Sequence, residues 1–268
     1  MVTTCAARLA CAAVLVLLPP SEGKTAPVAG PPLDLAALAY PELTATRERV
    51  LAAVVKLSGG RPARALAALG LSTGQAGELE RNAALRTAPT APAAEVYTGV
   101  LYERLRLPEL PPAARGRVLI ASALWGVVQP DDRIPAYRLA MGARLPRLGG
   151  LPARWRAPLR AALPDGGLVV DLRSGPYAAA WTPRGAEVVA VRAFTERAGR
   201  RTAVSHMVKA TRGDVARLVL EAPTPPREAA EVAELVAASG REVELTTGRA
   251  GTSIDVITHE PSTNLKRV

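Results

Sequence analysis

Residues 124–142, LWGVVQPDDRIPAYRLAMG, decide how this 268-residue chain is read. They follow RVLIASAL (117–124), a continuous apolar run of the kind that fills a buried strand. Trp125-Gly126, Pro130, Asp132 and Tyr137-Arg138 then precede a Met-Gly turn, a combination too specific for connecting loop. Each has a plain structural use. Asp132 suits the turn after Pro130, Tyr137 suits a core with its hydroxyl satisfied, and Gly126 and Gly142 suit backbone shapes other residues resist.

Val14–Leu18 (VLVLL) is apolar without a break and is closed by Pro19-Pro20, so it reads as another buried strand. Residues 27–33 form a Pro/Gly linker. From Pro41, suited to a first helical turn, residues 42–57 carry apolar side chains at helical spacing and stop at Ser58-Gly59-Gly60. Downstream, a Pro-rich helix containing Trp155 leads to a strand at 167–172. Residues 187–194 and 201–207 read as a strand pair turning at 197–200, followed by helices at 211–221 and 227–239. A hairpin of 242–246 with 253–258 closes the pattern. Without a regular βαβ rhythm, this predicts a single mixed α/β domain with a central sheet, spanning residues 14–268.

Residues 61–86 read as two helical stretches joined by Leu69-Gly70-Leu71-Ser72. A helix-hairpin-helix module grips the DNA backbone with the N–H groups of a tight Gly turn and the start of its second helix. Gly70 supplies the turn, and Ser72 or Thr73 can cap the second helix. The second glycine usual in such hairpins is missing, and any αα-hairpin can end on Gly.

With 49% hydrophobic and 22% charged residues the chain has a real core and is not a disordered polymer. Thirty-four bases against 24 acids give a net charge of +10, which favours a phosphate-bearing partner. A GC-rich genome accounts for Arg in place of Lys better than for that excess. Cys5 and Cys11 cannot organise a disulfide framework, and His206 and His259 supply no zinc or haem signature, so no histidine- or thiolate-based metal site is expected; an all-oxygen magnesium site stays open, and no metal or cofactor is assigned. A reducing cytoplasm is the expected compartment.

Arg8 and the apolar run after it imitate a signal peptide, but no small-x-small cleavage site follows and the run is too short to span a bilayer. Residues 1–13 are expected to be an extension, and no membrane partner is expected. Gly23-Lys24-Thr25 imitates a P-loop, yet Leu18 stands at its first glycine and two prolines, without N–H groups, come next. Lys24 still lies just past a strand, where α/β proteins place ligands; a solvated loop lysine is the bland alternative.

Six blocks in order resemble the YaaA family of peroxide-stress proteins: Tyr97-Thr98-Gly99, SALWGV (122–127), Pro130 to Asp132, YRLAMG (137–142), Leu172 to Tyr177, and Lys209 to Gly213. The resemblance runs from about Val14 and includes VLVLLPPSEGKT as an opening strand and loop. It implies a compact α/β fold, DNA binding through a helix-hairpin-helix element, and a role in limiting peroxide damage to DNA and reactive iron. No ligand cluster in the sequence supports direct iron chelation.

The candidate DNA- or ligand-binding residues are Lys24, Gly70, Ser72, Thr73, Tyr97, Thr98, Ser122, Asp132, Tyr137, Arg138, Ser174, Tyr177, Lys209 and Arg212. Arg offers bidentate phosphate contacts, and Tyr a stacking face for a base. Lys209 and Arg212, expected at a helix start, would oppose the macrodipole at about 0.3–1 kcal/mol each, a cost an anion would relieve. His206 reads as packed rather than catalytic. Two functions stay open: a cytoplasmic stress protein binding DNA with little regard to sequence, or an enzyme of lyase or glycosylase type acting on a nucleobase or nucleotide. An open basic stripe would mark the first, and side chains converging in one cleft the second.

Overall fold

The computed structural model describes residues 14–197, 200–202, 205–248 and 251–259. The expected extension 1–13, with both cysteines, and the His206 side chain lie outside the described residues.

Eight strands form the central sheet: β1 (Val14–Leu18), β2 (Val118–Ser122), β3 (Gly126–Val128), β4 (Leu168–Asp171), β5 (Glu187–Arg197), β6 (Arg200–Thr202), β7 (Glu242–Gly248) and β8 (Gly251–His259). Their order is β7-β8-β5-β4-β1-β2-β3, with β6 paired to β5. The five middle strands, β8-β5-β4-β1-β2, run parallel, and β3, β6 and β7 add antiparallel margins. Both faces of β1 are covered, which is why VLVLL carries no alternation. In register, Val16 faces Val118 on one side and Val170 on the other, all fully buried.

The mixed α/β class and central sheet agree with the sequence reading. One boundary needs correction. The second strand of the 187–207 pair ends at Thr202, and the helix Ser205–Glu221 starts six residues before the expected Thr211. That helix packs on β5 and on the helix Val100–Leu105. A Cβ on Gly213 would lie 2.4 Å from the Leu101 carbonyl oxygen, so the two helices meet at backbone contact and only glycine fits.

The helical pair at 61–86 is present as Pro62–Leu69 followed by a short 3-10 turn, Thr73–Gln75, and the helix Gly77–Ala83. Gly70 adopts φ 67°. Its N–H donates to Ala67 O, and that of Leu71 donates to Leu66 O, at 3.3 and 2.9 Å. Both close the first helix in a Schellman cap. The Ser72 N–H donates to Gln75 Oε1 at 3.0 Å. The turn therefore uses internally three of the N–H groups a helix-hairpin-helix would offer to phosphate, and that element is not established.

The Trp-Gly block is fixed from beneath by a residue that nothing in the sequence singles out. Arg47, fully buried in the helix Thr44–Ser58, donates to the carbonyls of Trp125, Tyr40 and Val127 at 3.0, 3.3 and 2.9 Å. Gly126 has φ 76°, and a Cβ there would lie 2.8 Å from the Trp155 ring.

Candidate functional site

The carboxyl ends of β1, β2 and β4 lie side by side, and the chain leaves β1 towards β2 on one flank before returning as β4 on the other. Open α/β sheets bind ligands at such a switch point. Here Pro19-Pro20 stops β1 and sends residues 21–25 across the strand ends. An antiparallel bridge between Lys24 and Tyr97 pins that loop, with the Thr25 N–H donating to Val96 O at 2.9 Å. Gly99, at φ 95°, then turns the chain into the helix Val100–Leu105.

Three hydroxyls form a buried row. Tyr97 Oη lies 2.8 Å from Tyr137 Oη, which lies 2.7 Å from Ser122 Oγ. Ser122 Oγ also accepts the N–H groups of Leu124 and Trp125 at 3.2 and 3.0 Å. Its two lone pairs being occupied, it donates its own hydrogen to Tyr137, which donates in turn to Tyr97. The Tyr97 hydrogen is left uncommitted within the row. Burial holds both tyrosines far above the usual phenol range, so they stay neutral. Tyr102 stacks on Tyr97 at 5.5 Å and donates to Pro19 O at 2.7 Å.

Lys24 Nζ sits over this row, 4.4 Å from the Tyr137 ring centroid and 5.3 Å from that of Tyr97, and donates to Ser21 O at 2.6 Å. Burial, and then the nearby Arg138 guanidinium, lower its pKa from 10.5 to about 7; Glu78 and Glu22 oppose that without cancelling it. Arg138, half-buried, reaches Glu22 O and Oε2 at 3.2 and 3.3 Å. Its backbone is clamped by the buried Asn82, which accepts its N–H and donates to its carbonyl. Tyr177, pushed up to about 12 by burial, adjoins the same group.

Lys24, Tyr97, Thr98, Ser122, Tyr137, Arg138 and Tyr177 thus meet at one place, Thr98 through its N–H to Ser21 Oγ at 3.1 Å. The others stand apart. Asp132 accepts the N–H groups of Ala39 and Gln129 at 2.9 and 2.8 Å and serves the turn. Ser174 is exposed at the start of the short helix Gly175–Ala178. Lys209 is exposed within the helix Ser205–Glu221, and Arg212 donates to Val191 O at 3.2 Å, so the pair does not occupy a helix mouth and the dipole argument for it falls. Gly70, Ser72 and Thr73 are not among the contacts of this site, although the helix after them supplies Asn82.

Two features escaped the sequence reading. Asp171 and Arg173, both buried at the end of β4, form a two-point ion pair at 2.8 and 2.7 Å, and Arg212 feels the same carboxylate. Elsewhere a groove of about 750 Å³ runs between the helices Thr44–Ser58 and Pro62–Leu69 and the segment 146–148. Its floor is apolar, and exposed Arg49, Lys56, Arg61, Arg64 and Arg147 rim it without an ion-pair partner among the described residues. Arg147 holds φ 67°, a strained conformation for an arginine. The signal lay in the i, i+7 spacing of Arg49 and Lys56, which places two cations on one helical face, and in Arg61 and Arg64 at the start of the next helix.

A parallel-cored sheet with a lysine set against two tyrosines at its carboxyl edge defines a mixed α/β protein with polar side chains gathered at the switch point. The chain belongs to the family of peroxide stress protein YaaA, whose model matches residues 14–238. It is 48% identical over 260 residues to a UPF0246 protein of Streptomyces coelicolor, covering 92% of this chain and 99% of that one. A UPF0246 protein of Corynebacterium efficiens is 42% identical over 244 residues, covering 89% and 98%. One of Corynebacterium glutamicum is 41% identical over 236 residues, covering 86% and 95%. Membership supports a role connected with peroxide stress.

Proposed function

We propose that this protein serves the peroxide-stress response by binding DNA, with little regard to sequence, and so limits iron-dependent oxidative damage to it in the cytoplasm. The observation that carries the reading is the groove rimmed by Arg49, Lys56, Arg61, Arg64 and Arg147. Five exposed cations around one concavity, on a chain of net charge +10, repel one another and gain most from a polyanion that displaces condensed counterions. Backbone phosphates meet that need whatever the base sequence. Among the described residues, no group of three His, Cys, Asp or Glu side chains comes together, so protection by covering DNA fits these residues better than chelation. No described helix is long and apolar enough to cross a membrane.

The test is fluorescence anisotropy with labelled duplex DNA, comparing wild type, the double variant Arg61→Glu/Arg64→Glu, and Arg227→Glu as an exposed charge reversal away from the groove. The groove variant should bind at least about tenfold more weakly than the control variant, given roughly 1.5–3 kcal/mol for each charged hydrogen bond lost. Equal losses in the two would remove the groove from the reading.

A second reading attaches to the Lys24 site, because its side chains converge in one place rather than along an open stripe. It takes a nucleotide-like ligand there, handled by an enzyme of lyase or glycosylase type.

A further inference from the structure

We propose that Lys24 is an imine-forming amine, and that the pocket takes a phosphorylated aldehyde, the class to which the ring-opened sugar of an abasic nucleotide belongs. This rests on reading the Lys24 site as a ligand pocket. The geometry fixes the amine in one place. Nζ is anchored by one hydrogen bond to Ser21 O and lies over two tyrosine faces, with no carboxylate in ion-pair contact among the described residues. The residue as a whole keeps some contact with solvent, the side from which a small carbonyl compound would approach. Nucleophilic lysines are made this way, by removal of water and by a neighbouring cation.

The charged groups around it come from every flanking element. Arg138 and, more weakly, Arg81 disfavour its protonation, while Glu22 on its own loop and Glu78 on the helix Gly77–Ala83 favour it. The balance leaves much of the amine neutral near pH 7, whereas about one in a thousand ordinary lysines is neutral there. Arg138 also supplies the anion specificity. Its partner Glu22 is 83% exposed and held at 3.3 Å, so a substrate phosphate can take the place of that carboxylate.

In the step itself the amine lone pair bonds to the carbonyl carbon. Both hydrogens of the neutral amine leave with the carbonyl oxygen as water, and a C=N bond replaces C=O. Addition of water reverses it. No oxidant, reductant or metal enters the balance.

The chain has four lysines, Lys24, Lys56, Lys209 and Lys266, so trapping can be assigned cleanly. The full-length protein is incubated near pH 7.5 with sodium cyanoborohydride and, in separate arms, glyceraldehyde 3-phosphate, unphosphorylated glyceraldehyde, or a duplex containing one abasic site; adducts are located by peptide mass spectrometry. Lys24 should be labelled at least about tenfold faster than Lys56 by the phosphorylated aldehyde, following its larger neutral fraction. It should react more slowly with glyceraldehyde, and labelling in the duplex arm identifies DNA as the source. Lys24→Arg keeps a cation but cannot form the adduct, and its circular dichroism verifies that loss of labelling is not loss of fold. Arg138→Gln should slow labelling by unphosphorylated glyceraldehyde at neutral pH, with recovery near pH 9, and should remove the advantage of the phosphorylated aldehyde at both pH values. Labelling spread evenly over the lysines overturns the proposal. So does absence of labelling: if glycerol 3-phosphate nonetheless binds at the pocket, the ligand reading survives and the imine alone fails, whereas if it does not bind, both fail.

Discussion

Replacing Lys24 with methionine should make the protein more stable at neutral and acidic pH and should remove part of its pH dependence. An ammonium buried beside Arg138 is a cost to folding wherever the unfolded chain holds the proton more tightly, and the Tyr97 and Tyr137 faces, which attract a cation, offset part of it. The folded group titrates at about 7 against 10.5 ordinarily. Above 10.5 both states are neutral and the cost vanishes. Between the two values only the unfolded state keeps the proton, so stability rises with pH; below about 7 both are protonated and the cost is complete. At 1.36 kcal/mol for each pH unit the gap is worth at most about 5 kcal/mol, and partial solvent access reduces it to about 2–4 kcal/mol. Loss of the bond to Ser21 O returns about 1 kcal/mol of that. Urea unfolding followed by far-ultraviolet circular dichroism at about pH 6, 8 and 10 reads the difference. The wild type should gain on Lys24→Met by somewhat under 1.4 kcal/mol per pH unit above pH 7, with the variant ahead at pH 6. Parallel stability curves, or a wild type that loses ground as pH rises, would refute the electrostatic account of this site.

Three further outcomes rest on the packing. Gly126→Ala forces a Cβ against the Trp155 ring at a positive φ and should cost about 2–4 kcal/mol in urea unfolding. Arg47→Met leaves the carbonyls of Trp125, Tyr40 and Val127 without their donor, so a loss of at least about 3 kcal/mol is expected and thermal denaturation would show it. Arg212→Ala should lower stability by about 1 kcal/mol through loss of the Val191 carbonyl contact, whereas Lys209→Ala should stay within about 0.5 kcal/mol; equal effects in chemical denaturation would mean the helix is placed wrongly.

Much of this architecture was legible because local chemistry and tertiary role coincide. VLVLL has no polar position, and a strand covered on both faces needs none. Lys24 stood out because Pro19-Pro20 ends that strand just before it. Seven of the fourteen candidate residues converge because the blocks that carry them fall at strand ends and the loops crossing them. The start of the helix Ser205–Glu221 was missed because Thr202 and Val204 extend the β-branched pattern of the hairpin, and tertiary packing of Gly213 on Leu101 overrode it. Arg47 looked like an ordinary helical arginine; its burial depends on three carbonyls about eighty residues away or on a neighbouring turn. The basic groove draws on three separate segments, and no single window of sequence contains it.

Binding of the DNA backbone in the groove can be read from the salt dependence of affinity in wild type and in Arg61→Ala/Arg64→Ala. Log affinity should fall linearly with log salt at about 0.9 per phosphate neutralised, with a slope shallower by about 2 in the variant and the same values for unrelated duplex sequences. An affinity indifferent to salt, or a slope unchanged by removing both arginines, would contradict it.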